Sequence, residues 1–365
     1  MTITCKGAVL RTIGLPQPYA ETTPLTIETI HLAPPKPVDV VVKVMGAGLC
    51  HSDLSVINGD RGRDVPMVMG HEGAGEVVEV GSAVTDLRVG DHVAFQFSVS
   101  CGRCRTCLAG RPNICEAAPA ARSRGELLSG GSRITDADGR PLRHQAGVSC
   151  FAEYAVVHRG SVVVIDDDLS LTKAAVFGCA VMTGVGAVVN TAGVRPGQAV
   201  AVYGLGGVGL SGVMGARVAG AGTIVAVDPE PAKLEKARSL GATHCFDARD
   251  PDLDARIREA TTGGVDCALD CAGAIPAGTH PPCTGCRGRA GHSSRWRSAR
   301  QSPRSAAAHP GGSAPAPQSA WPVAPHGCRH TRPSSGRRRR TPRPAPRRST
   351  WWSGRCPTSC PPPPG

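Results

Sequence analysis

Through the first half of the chain, apolar residues come in short runs or alternate with polar ones, and glycines mark the breaks. "VDVVVKVMGAGLC" (Val38 to Cys50) and "GEVVEVG" (Gly75 to Gly81) carry the period of two that places alternate side chains on opposite faces of a strand. "VGDHVAF" (Val89 to Phe95) reads as a turn entering another strand. The pattern predicts a β-rich domain reaching to about Ala175. From Gln198 the rhythm changes. "QAVAVYGLGGVGLSGVMGARVAGAGTIVAVD" (Gln198 to Asp228) is an apolar strand, a glycine turn, a helix and a second apolar strand. A helix at Pro231 to Gly241, a strand near His244 to Phe246, a helix near Leu253 to Thr261 and the strand "VDCALDCAG" follow. Strands that are continuously apolar and separated by helices predict a parallel sheet covered on both faces. Four such strands precede a break in composition.

That break governs the charge. The whole chain carries a net +12, but residues 276–365 hold 16 of the 41 basic residues, all Arg, and no Asp or Glu. The remaining 275 residues carry 25 basic against 29 acidic groups, an ordinary mildly acidic balance. The final stretch also has 18 of the 32 Pro, all four Trp, and Val323 as its one branched aliphatic residue. So little apolar surface cannot offset chain entropy, and the expectation for 276–365 is a disordered, low-complexity tail. Met1 to Leu10 lacks the apolar core of a signal peptide, and no stretch reads as apolar long enough to span a membrane. With 11 of the 16 Cys before the break, a reducing, cytoplasmic setting is expected, and cysteine spacing is tested first against metal.

"CGRCRTCLAGRPNIC" places Cys101, Cys104, Cys107 and Cys115 at C-x2-C-x2-C-x7-C, which fits four thiolates on a structural zinc whose closed shell leaves no place for substrate. Disulfides or scattered core cysteines are the competing reading. Separately, Cys50, His71 with Glu72, and Cys179 in "FGCAVMTG" supply two thiolates and an imidazole, enough for a zinc with an open fourth position. Taken singly, Cys179 also suits a small-residue core. "GLGGVG" matches G-x-G-x-x-G through Gly204, Gly206 and Gly209, with Gly207 and Val208 between them, directly after a strand and opening a helix. Such a turn lets backbone N–H groups meet a pyrophosphate. Asp228 closes the next strand 19 residues past Gly209, where a carboxylate accepts from ribose hydroxyls and repels a 2′-phosphate, so NAD is expected rather than NADP.

Together these residues make positions 1 to about 275 resemble the zinc-dependent medium-chain alcohol dehydrogenases. "GHEGAGEVVEVG" fits that family's G-H-E-x2-G-x5-G signature, and the four-cysteine lobe follows at the expected distance. The resemblance implies a β-rich GroES-like catalytic domain (1–178) and an α/β Rossmann-type NAD domain (179–275) with an incomplete, doubly wound parallel sheet. It implies two zinc ions per chain. Cys50, His71 and Cys179 would hold the catalytic one, with Glu72 an occasional ligand, and Asp53 would bind the far nitrogen of His71. Ser52 would bond the substrate oxygen and start proton removal. His51 would sit on the cofactor pyrophosphate, Thr183 and Val208 beside the nicotinamide, Lys233 beside the adenosine ribose, and Phe97 in the substrate pocket. For Lys233 a solvated helix charge, and for Phe97 a core position, are the plainer alternatives. Some members carry a relay His three residues after the Ser; this chain has Ser55 there, which sends the proton out by another route.

The implied reaction is reversible hydride transfer between a primary or secondary alcohol and NAD, giving an aldehyde or ketone, with primary alcohols, aromatic alcohols and thiol adducts of formaldehyde as candidates. Residues 116–150 resemble the longer insert of dimeric members, so a homodimer is the family expectation. The abrupt composition after Ile275 is what an off-frame reading of GC-rich codons produces from about Ala277 or Gly278. An inactive remnant that retains zinc is the alternative function. Nucleic-acid binding by "SSGRRRRTPRPAPRRSTWW", with Trp351 and Trp352 stacking on bases, is a further one set behind both.

Overall fold

A computed structural model describes residues 2–272. The readings made for the tail (its disorder, the reading-frame shift and the nucleic-acid segment) lie outside the described residues. In the β-rich part, Ile3–Leu10 pairs antiparallel with Leu25–Leu32 along its whole length. Ile134–Asp136, Pro141–His144 and Met67–Val68 close these two into a five-stranded barrel. Val9, Ile30, Leu32, Val68, Leu127, Ile134 and Leu142 fill it. Beside it lies a five-stranded antiparallel sheet in the order Val162–Val164, His92–Phe95, Glu72–Val80, Asp39–Gly48, Tyr154–His158.

The run "VDVVVKV" is explained by this arrangement. Val40 and Val42 point into the core with Val77, Val93 and Phe95, while Val41 points the other way, into the barrel core. A strand buried on both faces needs valine at consecutive positions, and each fully buried one contributes on the order of 2 kcal/mol. The same strand ends on small residues. A Cβ at Gly46 would stand 2.8 Å from the Cα of Thr172, so glycine lets the next helix cross the strand end closely. Gly48 pairs with Glu72, which brings Cys50, two residues on, beside His71 and Glu72.

The crossing helix corrects one expectation. Leu171–Ala192 is a continuous 22-residue helical run, with mean hydropathy 1.6 over its most apolar stretch, and is long and apolar enough to cross a membrane by length and composition. The sequence hides it because Thr, Lys, Gly and Asn interrupt its apolar runs, whereas the helix gathers them into one element. Its small residues serve contact: a Cβ at Gly184 would meet the carbonyl oxygen of Val208 at 2.2 Å, so this helix packs tightly on Gly207–Val218. The helix winds as π-turns over Phe177–Val181 and Ala187–Ala192. The 178/179 boundary drawn from the sequence falls inside it.

The α/β part carries a parallel sheet in the order His244–Phe246, Thr223–Val227, Ala199–Tyr203, Cys267–Asp270, with helices Gly207–Val218, Pro231–Leu240 and Leu253–Ala260 between strands. In chain order this is third, second, first, fourth, the arrangement of a doubly wound sheet. Both faces are covered: Val200, Val202 and Val213 on one side, Ala201, Tyr203, Val225 and Ile257 on the other. The first and fourth strands are neighbours, so their carboxyl ends frame the crevice where this architecture binds ligands.

Candidate functional site

Cys50 caps the helix His51–Ile57: its sulfur accepts from the Ser52 N–H at 3.5 Å, and Asp53 returns a bond to the Cys50 N–H at 3.0 Å. The start of a helix stabilises negative charge, which suits a thiolate there. Glu72 opens the strand that pairs with the end of Asp39–Gly48, with His71 just before it, and Cys179 projects from the first π-turn of the crossing helix. The four meet. Ligand atoms of Cys50, His71, Glu72 and Cys179 all lie within 4.8 Å of one another, and Cys179 Sγ stands 3.6 Å from His71 Nε2.

The imidazole is oriented from behind. Asp53 Oδ1 lies 2.7 Å from His71 Nδ1, and since a carboxylate only accepts, Nδ1 must donate and Nε2 faces the sulfurs. Burial disfavours charge on His71, yet hydrogen bonds with Asp53 and Cys50 outweigh it and hold the imidazole up at about 10. The hydrogen bond with Cys179, chiefly, brings Cys50 down to about 3. Cys179 is pushed up by that same bond and by burial. Burial also raises the Glu72 carboxyl. Phe97 sets its ring edge-on to His71 with centroids 5.7 Å apart, placing an apolar wall on the cluster.

The second cluster joins Cys101, Cys104, Cys107 and Cys115, whose sulfurs also lie within 4.8 Å of one another. Cys104 and Cys115 are 3.9 Å apart, close to the ~3.8 Å edge of a tetrahedron with Zn–S bonds of about 2.3 Å. The Thr106 hydroxyl, first among several hydrogen bonds, brings Cys104 down to about 5. Both clusters therefore fit zinc by donor type and spacing, one with four thiols, the other with two thiols, an imidazole and a carboxylate.

At the glycine turn the three motif glycines have separate physical reasons. Gly204 has φ +85°, and a Cβ there would meet the Ala272 nitrogen at 2.6 Å. Gly209 lies against its own turn, where a Cβ would fall 1.8 Å from the Gly204 oxygen. A Cβ on Gly206 would meet nothing within 4 Å, so the approach to the helix N-terminus is open there. Asp228 is buried; its Oδ2 accepts the Leu205 N–H at 2.7 Å and its Oδ1 the Glu230 N–H at 3.0 Å. Lys233 Nζ is 3.5 Å from Asp228 Oδ1.

Comparison with known proteins agrees with this geometry. The family profile for the alcohol dehydrogenase GroES-like domain matches residues 36–167, and that for zinc-binding dehydrogenases matches 207–289, past the composition break. S-(hydroxymethyl)glutathione dehydrogenase of Synechocystis is 44% identical over 255 residues, covering 69% of this chain and 69% of that protein. The chain belongs to the zinc-dependent medium-chain alcohol dehydrogenases. The Escherichia coli O1:K1 protein of the same name is 42% identical over 260 residues, 70% of each chain. Among solved dehydrogenases, a zinc-binding domain protein from Burkholderia ambifaria superposes with TM-score 0.70 at 38% identity, covering 76% of this chain and 72% of that one. Benzyl alcohol dehydrogenase from Acinetobacter calcoaceticus gives 0.67 at 32%, covering 74% and 71%. Membership makes the chain a zinc-dependent oxidoreductase working with a nicotinamide cofactor.

Within this dehydrogenase, Cys50, His71, Glu72 and Cys179 come together with Asp53 and Ser52. Asp228 and Lys233 pair with each other at the glycine turn. His51 is exposed at the helix start, and Thr183 lies half-buried beside the Gly184–Val208 contact. Ser55 gives its hydroxyl to the His51 carbonyl at 3.0 Å. Sequence reasoning missed Gln145, whose Nε2 donates to Asp53 Oδ1 at 2.8 Å, and Cys150, whose thiol donates to the Glu72 carbonyl at 3.0 Å. Both lie in "HQAGVSCF", a loop with no periodicity and no ligand spacing to announce them.

Proposed function

We propose that the chain transfers hydride reversibly between an alcohol and NAD, giving an aldehyde or ketone, and that its substrates include S-hydroxymethyl thiol adducts. The carrying observation is the convergence of Cys50, His71 and Cys179, with Asp53 behind the imidazole, in a family of zinc dehydrogenases. Zinc held by these residues supplies a Lewis acid that favours the ionised form of an alcohol. The chain's own groups do the rest. Asp53 keeps the His71 lone pair on Nε2. The Ser52 hydroxyl, beside Cys50, accepts the alcohol proton as it passes its own on. Ser55 is engaged with the His51 carbonyl, so that proton leaves to solvent past exposed His51. The wall made by Phe97 limits water at the reacting carbon.

The turn Gly204–Gly209 would hold the pyrophosphate on the N-terminus of Gly207–Val218, with Thr183 and Val208 beside the nicotinamide. The buried Asp228 carboxylate supports NAD over NADP by charge. Likeness to the S-(hydroxymethyl)glutathione dehydrogenases supports the thiol-adduct class. Arg61, Arg63 and Arg122 also lie close enough for their charges to oppose one another. Such guanidiniums suit a substrate carrying carboxylates. The 11 cysteines of the described residues form no disulfides with one another, which suits a reducing compartment.

The test is NADH formation with S-hydroxymethylglutathione, benzyl alcohol and simple primary and secondary alcohols, with zinc content measured on the same sample. Two zinc per chain with turnover supports the proposal. The composition break after Ile275 favours a second reading, a chain that keeps zinc without turnover; zinc with no NADH binding would decide for it.

A further inference from the structure

We propose that Gln145 is the positioning residue that locks Asp53 and His71 together and thereby sets the affinity of the Cys50–His71–Cys179 cluster for its metal. This rests on reading that cluster as the catalytic zinc centre. Gln145 is buried, and both ends of its carboxamide are used. Nε2 donates to Asp53 Oδ1 at 2.8 Å, and Oε1 accepts the N–H of Gly70, the residue before His71. The two partners force the amide's orientation, because a backbone N–H only donates and a carboxylate only accepts.

Asp53 is thereby held from three directions. Oδ1 receives His71 Nδ1 at 2.7 Å and Gln145 Nε2; Oδ2 receives the Cys50 N–H at 3.0 Å. Gln145 is the one of these partners that also grips the chain leading into His71, so it fixes the carboxylate and the imidazole against the same frame. The frame is itself pinned. The Gln145 N–H donates to Ser149 Oγ at 2.9 Å, and that hydroxyl donates to the Val68 carbonyl at 2.8 Å. Gly70 has φ +96°, and a Cβ there would fall 2.4 Å from the Phe151 nitrogen, so this approach has no slack. Without Gln145 the Asp53 carboxylate can swing about its own bond, and the direction of the His71 lone pair swings with it.

Two substitutions separate this role from general packing. Gln145→Met keeps the volume and removes both bonds; Gln145→Glu keeps the acceptor for Gly70 and sets a carboxylate against Asp53. In the full chain, zinc affinity is read by chelator competition, and cobalt substitution reports the Cys–His centre by its absorption spectrum. The four-cysteine site in the same molecule is the control. Both variants are expected to weaken the Cys–His site about 10- to 100-fold and alter its cobalt spectrum, with the metal affinity of the four-cysteine site unchanged. If Gln145→Met does not fold, Gln145→Glu decides alone. The proposal is overturned if Gln145→Glu binds metal like wild type, or if both sites weaken together. Absence of a second zinc from the wild-type protein would instead defeat the reading on which it rests.

Discussion

Zinc entering the Cys50–His71–Cys179 cluster should expel two protons at neutral pH. Coordination requires both sulfurs as thiolates and His71 with a free lone pair on Nε2. In the metal-free cluster Cys50, at about 3, is already a thiolate. His71, held at about 10, carries a proton on Nε2 at pH 7, and Cys179, pushed above its ordinary value, keeps its own. Those two protons must leave. Between the Cys50 and His71 values, protons therefore compete with zinc twice over. The apparent association constant should rise about 100-fold per pH unit, about 2.7 kcal/mol at 1.36 kcal/mol per proton per unit. Binding weakens as pH falls, and once pH rises through the His71 value only the Cys179 proton still competes, so the slope drops to about tenfold per unit. The assay is isothermal titration of zinc into protein whose four-cysteine site is already filled, in buffers of contrasting ionisation enthalpy. Release of one proton, or a tenfold slope, at neutral pH would refute the reasoning, because it would mean that His71 is neutral or that Cys179 is ionised before metal arrives.

The glycine turn makes paired predictions. Gly209→Ala places a methyl 1.8 Å from the Gly204 oxygen, where only backbone could yield, so it should cost about 3 kcal/mol or more and lower the melting temperature by several degrees. Gly206→Ala meets nothing within 4 Å; it should leave melting within about a degree while NADH affinity, read by fluorescence, falls about tenfold. Chelating the lobe zinc leaves Val99, Cys115 and Ala118 as its buried core, so trypsin should then cut after exposed Arg103 and Arg105, sites that mass spectrometry will map, while Arg111, followed by Pro112, stays uncut. Asp228→Asn keeps an acceptor for the Leu205 N–H and removes the charge; the preference for NAD over NADP, taken as a ratio of kcat/KM, should fall about tenfold.

What could be read from the sequence was local. The glycine turn, the four-cysteine lobe and the four parallel strands announce themselves within short windows, and His244–Phe246 falls where its apolar run places it. The Asp53–His71 bond came from the family resemblance, and the structure contains it. Strand order in the β-rich part was not legible, since Asp39–Gly48 pairs with Tyr154–His158 more than a hundred residues away. Gln145 was invisible for the same reason: it stands 92 positions from Asp53, and only the closed barrel brings them together. The crossing helix was missed because its register is read from contact with Gly207–Val218, through Gly184 and Gly215, rather than from a stripe of large apolar residues.

That helix has a consequence for how such a protein can change. It carries Cys179 in one turn and, a turn later, the glycine that abuts the nucleotide turn. The seam between the two halves is thus itself a shared part. Recombination that swapped one half for a relative's would have to inherit the helix whole, with the partner surface it was fitted to, or lose metal and nucleotide sites in a single event. The two halves are therefore expected to change together rather than separately.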